Sequence, residues 1–361
     1  MTRRAGHGGR ALLLAACLSA FGPAQANAPS LRDLYARPPQ QWPAAWIDPG
    51  VDFAELGSPA HSRQDRSEAA RAELGERLFF DARLSVDGSV SCASCHRPDH
   101  GWSVPAPLST GMAGSKGRRN PPGLHTVAAR RHLDWDGRDI ALAARSLEPL
   151  TAPGEMGNLD LAGVEARLAT IDEYGQAARA LYSTERLTAA LAGDALAAFQ
   201  SGLDRQTRFD RFVAGDAGQL DDREIRGLHL FRTKARCANC HFGPLLTDER
   251  FHNLKISFFG EKTEDLGRYL VTDRAEDAGA MRTPSLRHVA QTAPYMHNGL
   301  FPSLRNVINL YDRGGGEVRA RNDAEADHPL FPHAARVSPL IKPLHLTEDE
   351  KSALEAFLKT L

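Results

Sequence analysis

The chain has 361 residues and a nearly balanced charge, with 44 Lys and Arg residues, 45 Asp and Glu residues and a formal net charge of −1. This balance argues against a nucleic acid as the partner, because binding to phosphates needs an excess of positive charge. It does not exclude a local charged patch that docks a protein.

The first 26 residues have the features of a secretory signal peptide. Three arginines come first, a short apolar run follows over 11–21, and Ala24-Gln25-Ala26 fits the cleavage pattern. The apolar run is too short to span a bilayer as a helix. We therefore predict export to the periplasm and a mature chain that starts near Asn27, whose length of about 335 residues suggests two domains.

Leu14-Ala15-Ala16-Cys17 permits a second interpretation, a lipoprotein signal in which Cys17 is acylated. Little apolar sequence precedes Cys17, which favours the ordinary signal peptide. No later apolar run approaches membrane-spanning length, so we expect the mature protein to be soluble.

Residues 27–66 are rich in proline and are predicted to form an extended arm that lies on the globular body. Regular structure is predicted to begin at Ser67, a residue type that caps helices. Leu74, Leu78 and Phe79 then recur at helical spacing.

Two segments of the chain match each other. Leu74-Gly75-x-x-Leu78-Phe79 aligns with Arg226-Gly227-x-x-Leu230-Phe231, and the glycine in each predicts a close approach between helices. Each segment leads into the pentapeptide C-x-x-C-H, first at 92–96 and then at 237–241. The repeat indicates an internal duplication of whole domains.

C-x-x-C-H is typical of c-type haem attachment, in which two thioethers hold the porphyrin and the histidine reaches the iron. Cys92, Cys95, Cys237 and Cys240 are thus predicted to hold two haems. One zinc bound by four thiolates is an alternative, but such pairs usually lie closer in the sequence. A thioredoxin-like pair is another, but it does not explain the histidine after both motifs.

The remaining pattern is helical. Residues 159–212 are predicted to be helical, and capping boxes start helices at Asp221 with Glu224 and at Thr347 with Glu350. The predicted fold is mostly α, with two cytochrome-c-like haem domains in tandem and long loops. We predict a signal peptide over 1–26, an arm over 27–66, an N-terminal haem domain over 67–212 and a C-terminal haem domain over 213–361.

The sixth ligand of each iron decides between an electron carrier and a catalyst, because an open position admits peroxide. Spacing alone does not choose among the candidates. They are Met112, Met156, Met281, Met296, His100, His297 and Tyr311.

Several motifs in order after residue 70 resemble the bacterial di-haem cytochrome c peroxidase and MauG superfamily. The motifs are Leu74-Gly75 through Phe79-Phe80-Asp81, both C-x-x-C-H pentapeptides, Gly117-Arg118-Arg119-Asn120, Trp135-Asp136-Gly137-Arg138, Pro153-Gly154-Glu155-Met156, Arg282-Thr283-Pro284-Ser285-Leu286-Arg287 and Thr292-Ala293-Pro294-Tyr295-Met296-His297.

The resemblance implies unequal haems. His241 would be the proximal ligand of the C-terminal haem, and Tyr311 stands where the peroxidases have a ligating methionine and MauG has a ligating tyrosine. A phenolate ligand would favour ferric or higher-valent iron. His96 would be the proximal ligand of the N-terminal haem, and Met112 stands where many relatives have a capping histidine. We therefore expect an open or water-bound iron there, although Met112 is itself a candidate ligand.

The resemblance also assigns four further roles. Glu155 matches the acid/base glutamate that assists cleavage of bound peroxide. Trp135 matches the tryptophan between the haems. Asn120, Thr292 and Pro294 match the residues that hold a calcium ion, while His297 is expected to orient the region between the haems without ligating iron.

The function that follows is a periplasmic di-haem peroxidase that reduces hydrogen peroxide at the N-terminal haem, with electrons passed through the C-terminal haem. The donor would be a small cytochrome or cupredoxin. Two alternatives remain: a MauG-like oxidase that modifies a partner protein, and a non-catalytic di-haem electron carrier. A homodimer is common among the peroxidases.

Overall fold

The computed structural model describes residues 1–2, 6, 28–60, 65–138 and 141–361. Apart from Gly6, the predicted signal sequence from Arg3 to its cleavage site, including Cys17, lies outside the described residues. Within the described ranges, no helix is both long enough and apolar enough to cross a membrane.

The protein is mostly helical, as predicted. Two short strands, β1 (Phe251–Asn253) and β2 (Ala280–Arg282), pair antiparallel. The α-helices, α1 to α15 in chain order, are Leu31–Tyr35, Arg66–Phe80, Cys92–Cys95, Leu142–Arg145, Glu148–Thr151, Leu161–Leu168, Asp172–Tyr182, Ala189–Ser201, Arg208–Val213, Asp222–Arg232, Tyr269–Thr272, Leu304–Asp312, Asp323–Ala326, Phe331–Ala334 and Glu348–Leu358.

Two equivalent helix pairs organise the fold. Helix α2 packs on α8, and α10 packs on α15. Phe79 meets Phe199 at a ring distance of 5.2 Å in the first pair, and Phe231 meets Phe357 at 5.3 Å in the second. The predicted match between the two segments is therefore also a match in packing.

Local sequence explains where these helices begin. Asp221 with Glu224 and Thr347 with Glu350 form the predicted capping boxes. The prediction of Ser67 as the cap of α2 is wrong. Asp65 caps this helix by accepting from the backbone N–H groups of Ser67 and Glu68, because a carboxylate here also completes a capping box with Glu68.

The helices of 159–212 are present as α6 to α9, and they divide between two hydrophobic cores. Leu74, Leu78 and Leu196 lie in the first core, around α2 and α8. Phe209 and Phe212 of α9 lie instead in the second core, around α10 and α15.

The N-terminal arm packs on the second core through buried Tyr35, Trp42 and Leu56. Its described residues include the short α-helix α1, which the proline-rich composition did not predict; Ser30 caps this helix. Arg232 of α10 binds the arm through its side chain. Its buried guanidinium pairs with Glu55 and donates to the Tyr35 hydroxyl at 3.0 Å.

Candidate functional site

The first C-x-x-C-H motif forms a short helical turn, α3, with His96 immediately after it. The Nδ1 atom of His96 lies 2.9 Å from the carbonyl oxygen of Trp102, which assigns the ring proton to Nδ1 and leaves the Nε2 lone pair free. Burial lowers the pKa of His96 to about 4, so the imidazole is neutral. A neutral ring oriented through its other nitrogen is the form that ligates a metal.

The second motif repeats this geometry. Cys237–Asn239 form a helical turn, and Nδ1 of His241 lies 3.0 Å from the carbonyl oxygen of Leu246. Burial lowers the pKa of His241 as well. Both motifs therefore present a neutral imidazole beside two unpaired cysteines.

The two motifs open into separate cavities, each of about 1850 Å³ including its mouth. The first cavity is lined by Cys92, Cys95 and His96. The second cavity is lined by the cysteines of the second motif and by His241. A single four-thiolate zinc site is therefore excluded. A thioredoxin-like site is excluded too, because the described strands form one short antiparallel pair and no β-α-β unit.

The lining of the cavities fits a haem. Arg130 lines both cavities and Arg282 lines the second, and neither has a carboxylate in an ion pair among the described residues. Nη2 of Arg282 is buried without a hydrogen-bond partner. Burial lowers the pKa of Arg130 to about 9, the charge of Arg282 adds to the effect, and the charges of Asp204 and Glu249 oppose it. Guanidinium groups at a cavity wall that form no ion pair suit an anionic ligand, and the two propionates of a haem are such groups.

The cysteines fit the same ligand. Burial raises the pKa of Cys92 and of Cys237 to about 12, so each thiol stays protonated. These thiols stand at cavity walls, where a thioether to a porphyrin would form. The residues present in both cavities therefore suit covalent haem.

Glu155 lines the first cavity together with His96. Burial raises its pKa, Arg145 opposes this rise, and Asp134 and Glu148 add to it. A carboxyl group with a raised pKa holds a proton more readily than an ordinary glutamate, which suits a group that accepts a proton and returns it.

Met112 lies beside this cavity but is not among the described residues that line it. Its thioether contacts Gly157, and its backbone N–H donates to the Glu155 carbonyl at 3.1 Å. The side chain packs against the first core. The expectation of an open iron at His96 stays a prediction.

Tyr311 lines the second cavity with His241. It stands on the last turn of α12, whose start is capped by Ser303. Burial is the main cause that raises the pKa of the Tyr311 phenol, and the charge of Asp248 adds to the rise. The structure thus brings the predicted tyrosine ligand to the cavity of the second motif.

Trp135 lines both cavities. Its indole Nε1–H donates to the carbonyl oxygen of Asn120 at 2.9 Å, and its ring lies 6.5 Å from that of buried His297. The backbone of Asn120 in turn donates to the His297 carbonyl at 2.6 Å. This indole is therefore held in the wall that the cavities share.

The predicted calcium residues Asn120, Thr292 and Pro294 all line the second cavity near this wall. The Asn120 amide also donates to the carbonyl oxygens of Ala106 and Pro107, at 3.1 Å each. Oxygen atoms of amides and backbone carbonyls are a donor set that suits a hard cation with waters in its shell.

Sequence reasoning missed several charged groups at these cavities. Arg130 and Arg145 were not predicted, and Arg282 was part of a motif without a role of its own, because arginine has no spacing that marks a buried position. His252 was also missed; its Nε2 lies 2.8 Å from Asp248, beside Cys240 of the second motif. Its position eleven residues after His241 is the signal that was available in the sequence.

Comparison with known proteins agrees with this geometry. A family model described as di-haem cytochrome c peroxidase matches residues 69–218. The cytochrome-c peroxidase IdrP1 of Pseudomonas sp. (strain SCT) is 33% identical over 330 residues, covering 83% of this chain and 82% of that protein. The chain belongs to the di-haem cytochrome c peroxidase and MauG family. The resemblance found in the sequence is confirmed.

Two further relatives extend the comparison. The methylamine utilization protein MauG of Methylorubrum extorquens is 36% identical over 315 residues, covering 86% of this chain and 83% of that protein. A crystal structure of a MauG-like protein associated with microbial copper homeostasis has a TM-score of 0.70 and 30% identity, covering 88% of this chain and 95% of that one. The protein is thus a peroxide-acting oxidoreductase with two c-type haems.

Proposed function

We propose that the protein reduces hydrogen peroxide in the first cavity with electrons that arrive through the second. The observation that carries this proposal is an asymmetry between the cavities. Glu155 shares the first cavity with His96, whereas Tyr311 shares the second with His241. An acid/base group suits the cavity that handles substrate, and a second side-chain ligand suits the cavity that passes electrons.

The haem iron, when bound, supplies the redox chemistry and the coordination position for peroxide. His96 would hold the iron of the first cavity and His241 that of the second, each oriented by the carbonyl that accepts from Nδ1. Cys92, Cys95 and the cysteines of the second motif would hold the porphyrins.

Glu155 moves the proton. It accepts the proton of the inner peroxide oxygen and returns it to the outer oxygen, which leaves as water. The net reaction takes two electrons and two further protons for each hydrogen peroxide and yields two waters. The electrons come from a small redox protein, a cytochrome or a cupredoxin.

Trp135 provides the connection between the cavities. An indole in the shared wall shortens the distance that an electron crosses through protein. The hydrogen bond to Asn120 fixes the plane of the indole. A calcium ion held by Asn120, Thr292 and Pro294 would stiffen this wall.

A second candidate function is a MauG-like oxidation of a partner protein. Tyr311 favours it, because a phenolate ligand stabilises high-valent iron. In this version the electrons come from side chains of the partner and not from a soluble donor. The third version, a di-haem electron carrier, predicts no response to peroxide. We propose a periplasmic location for all three.

The test is the ferric holoprotein, studied by EPR and absorption spectroscopy with and without peroxide. We expect one high-spin and one low-spin haem and a rapid change of the Soret band on addition of peroxide. Two low-spin haems that do not respond would refute the peroxidase. Turnover with reduced cytochrome c, measured next, separates the soluble donor from the protein substrate.

A further inference from the structure

Arg145 stands at the first cavity, where neither the sequence motifs nor the proposed function gives it a role. It is the last residue of α4, and its side chain lines the cavity together with His96 and Glu155. Its side chain is 27% exposed, so most of it is enclosed by the cavity wall.

Asp134 fixes the direction of this guanidinium. Nε of Arg145 lies 3.0 Å from both carboxylate oxygens of Asp134, and Nη2 lies 3.0 Å from one of them. Asp134 is itself buried and also accepts from Arg138 at 3.1 Å. Two of the three guanidinium nitrogens are thus held by Asp134, and the third, Nη1, takes no part in these bonds.

The charge of Arg145 reaches the acid/base group of the cavity. Arg145 and Glu155 line the same cavity. Burial raises the pKa of Glu155, and Arg145 is the strongest influence that opposes this rise. The guanidinium therefore lies within electrostatic range of the acid/base carboxyl group.

We propose that Arg145 is a further catalytic residue, which donates a hydrogen bond to the outer peroxide oxygen as negative charge develops on it. The proposal rests on the proposed function of the first cavity. A fixed guanidinium suits this task, because charge-assisted donors that are oriented in advance need no reorganisation during the reaction.

The O–O bond breaks, and both of its electrons leave with the outer oxygen. That oxygen keeps its own proton, gains the proton that Glu155 carries from the inner oxygen, and departs as water. The remaining oxygen atom becomes the second water with two electrons from the redox-protein donor and two protons from solvent. Arg145 stabilises the departing oxygen and is unchanged at the end.

The test compares the parent holoprotein with Arg145→Gln and Arg145→Lys. Two quantities are measured: the Kd of fluoride for the ferric protein, by absorption titration, and the rate of the Soret change with peroxide. We expect Arg145→Gln to weaken fluoride binding by about tenfold and to slow the peroxide step by about a hundredfold. Arg145→Lys keeps the positive charge without the planar guanidinium, so it should retain part of the fluoride affinity and part of the peroxide rate.

The matched control is Arg179→Gln, because Arg179 is an exposed arginine paired with Glu185 away from the cavity. It should leave both quantities unchanged. If Arg145→Gln does not fold, Asp134→Asn serves instead: it frees the guanidinium and should produce a smaller loss of both quantities.

Three outcomes would overturn the role of Arg145. One is parent-like fluoride binding and peroxide rate in Arg145→Gln. Another is a fall in haem content with unchanged fluoride affinity per haem, which would make Arg145 a propionate ligand only. The third is an equal loss in Arg179→Gln. A parent protein that does not respond to peroxide would instead refute the proposed function, so the two failures are distinguishable.

Discussion

Gly75 of α2 lies directly against the backbone of Ala195 in α8. A Cβ atom at residue 75 would stand 1.9 Å from the Ala195 carbonyl oxygen, far inside van der Waals contact. Gly227 repeats this relationship in the second helix pair, where a Cβ atom would stand 2.1 Å from the carbonyl oxygen of Ala353. The predicted duplication therefore includes this close glycine contact, which occurs in both helix pairs.

We expect Gly75→Ala to destabilise the holoprotein by about 3 kcal/mol, at the upper end of the range for overpacking, because α2 and α8 must separate to admit the methyl group. Denaturant unfolding measures this. Gly163→Ala in α6 is the control, since a Cβ atom there meets only the Asp160 carboxylate at 3.5 Å. It should be neutral or stabilising by up to about 1 kcal/mol. Equal effects in both variants would contradict the packing argument.

Glu155 should cause the fall in the rate of the peroxide reaction at low pH. Burial raises its pKa, and of the charged neighbours Arg145 and Arg138 lower it while Asp134 and Glu148 raise it. The carboxylate that accepts the proton therefore forms at a higher pH than is usual for glutamate, and the rate of the Soret change should increase as pH rises through that range.

Glu155→Gln should remove this fall in rate at low pH and slow the reaction by about 10²- to 10⁴-fold, the usual contribution of a positioned acid or base. Stopped-flow absorption across pH measures both effects. Glu173→Gln is the control, because Glu173 is half-exposed and paired with Arg83 away from the cavity. An unchanged pH profile in Glu155→Gln would assign the fall in rate at low pH to another group.

Tyr311→Phe should abolish the low-spin ferric EPR signal of the second haem and raise its reduction potential, because an anionic oxygen ligand is lost. The control is Tyr295→Phe, since Tyr295 lines the same cavity. Tyr295 lies outside α12, which carries Tyr311, so its loss should leave the low-spin signal unchanged. A parent-like spectrum in Tyr311→Phe would refute the ligand assignment.

The ion pair between Arg287 and Asp210 should be a major stabilising contact. Both side chains are about 1% exposed, and Nη1 of Arg287 lies 2.5 Å from the carboxylate. Asp210→Asn leaves the guanidinium buried without its counter-charge and should cost about 3–5 kcal/mol of unfolding free energy. The exposed pair of Arg274 and Glu276 is the control, and Glu276→Gln should cost less than about 1 kcal/mol.

The ion pair of Arg287 and Asp210 should also make the free energy of unfolding depend on pH. Burial raises the pKa of Asp210, but Arg287 and the Thr207 backbone outweigh it and hold the pKa below its ordinary value. The stabilisation is therefore present above the ordinary pKa of aspartate and is lost as pH falls through the lowered one. Unfolding curves of parent and Asp210→Asn should converge in acid, and curves that stay parallel would contradict this.

Chelation tests the proposed calcium site. Dialysis against EGTA should change the EPR spectrum of the ferric holoprotein, because the wall that holds Trp135 and Asn120 loosens. Added Ca²⁺ should restore the spectrum and added Mg²⁺ should not, since Mg²⁺ demands a smaller and stricter octahedral shell. Holoprotein that contains no calcium by metal analysis, with parent-like spectra, would refute the site.

Much of the local structure was predictable, because its causes are close in sequence. The capping box of Asp221 and Glu224 joins residues three positions apart and forms as predicted. The cap of α2 shows how such reasoning fails: Asp65 and Ser67 are both good capping residues, but only Asp65 has a glutamate three positions later to complete the box. A single capping residue is therefore a weaker signal than the pair of residues that forms a capping box.

The haem content was predictable from local sequence, since two cysteines and a histidine within five residues meet one porphyrin wherever the chain folds. So were the starts of α10 and α15 and, through the resemblance, the predicted roles of Glu155 and Tyr311. The charges that stand at the cavities were not predictable in this way. Arg282 donates to the backbone of Asp134 across 148 residues of chain, and Arg145 turns toward the first cavity because Asp134 holds it there. Contacts of this kind depend on how distant segments pack, so the spacing of residues along the chain does not predict them.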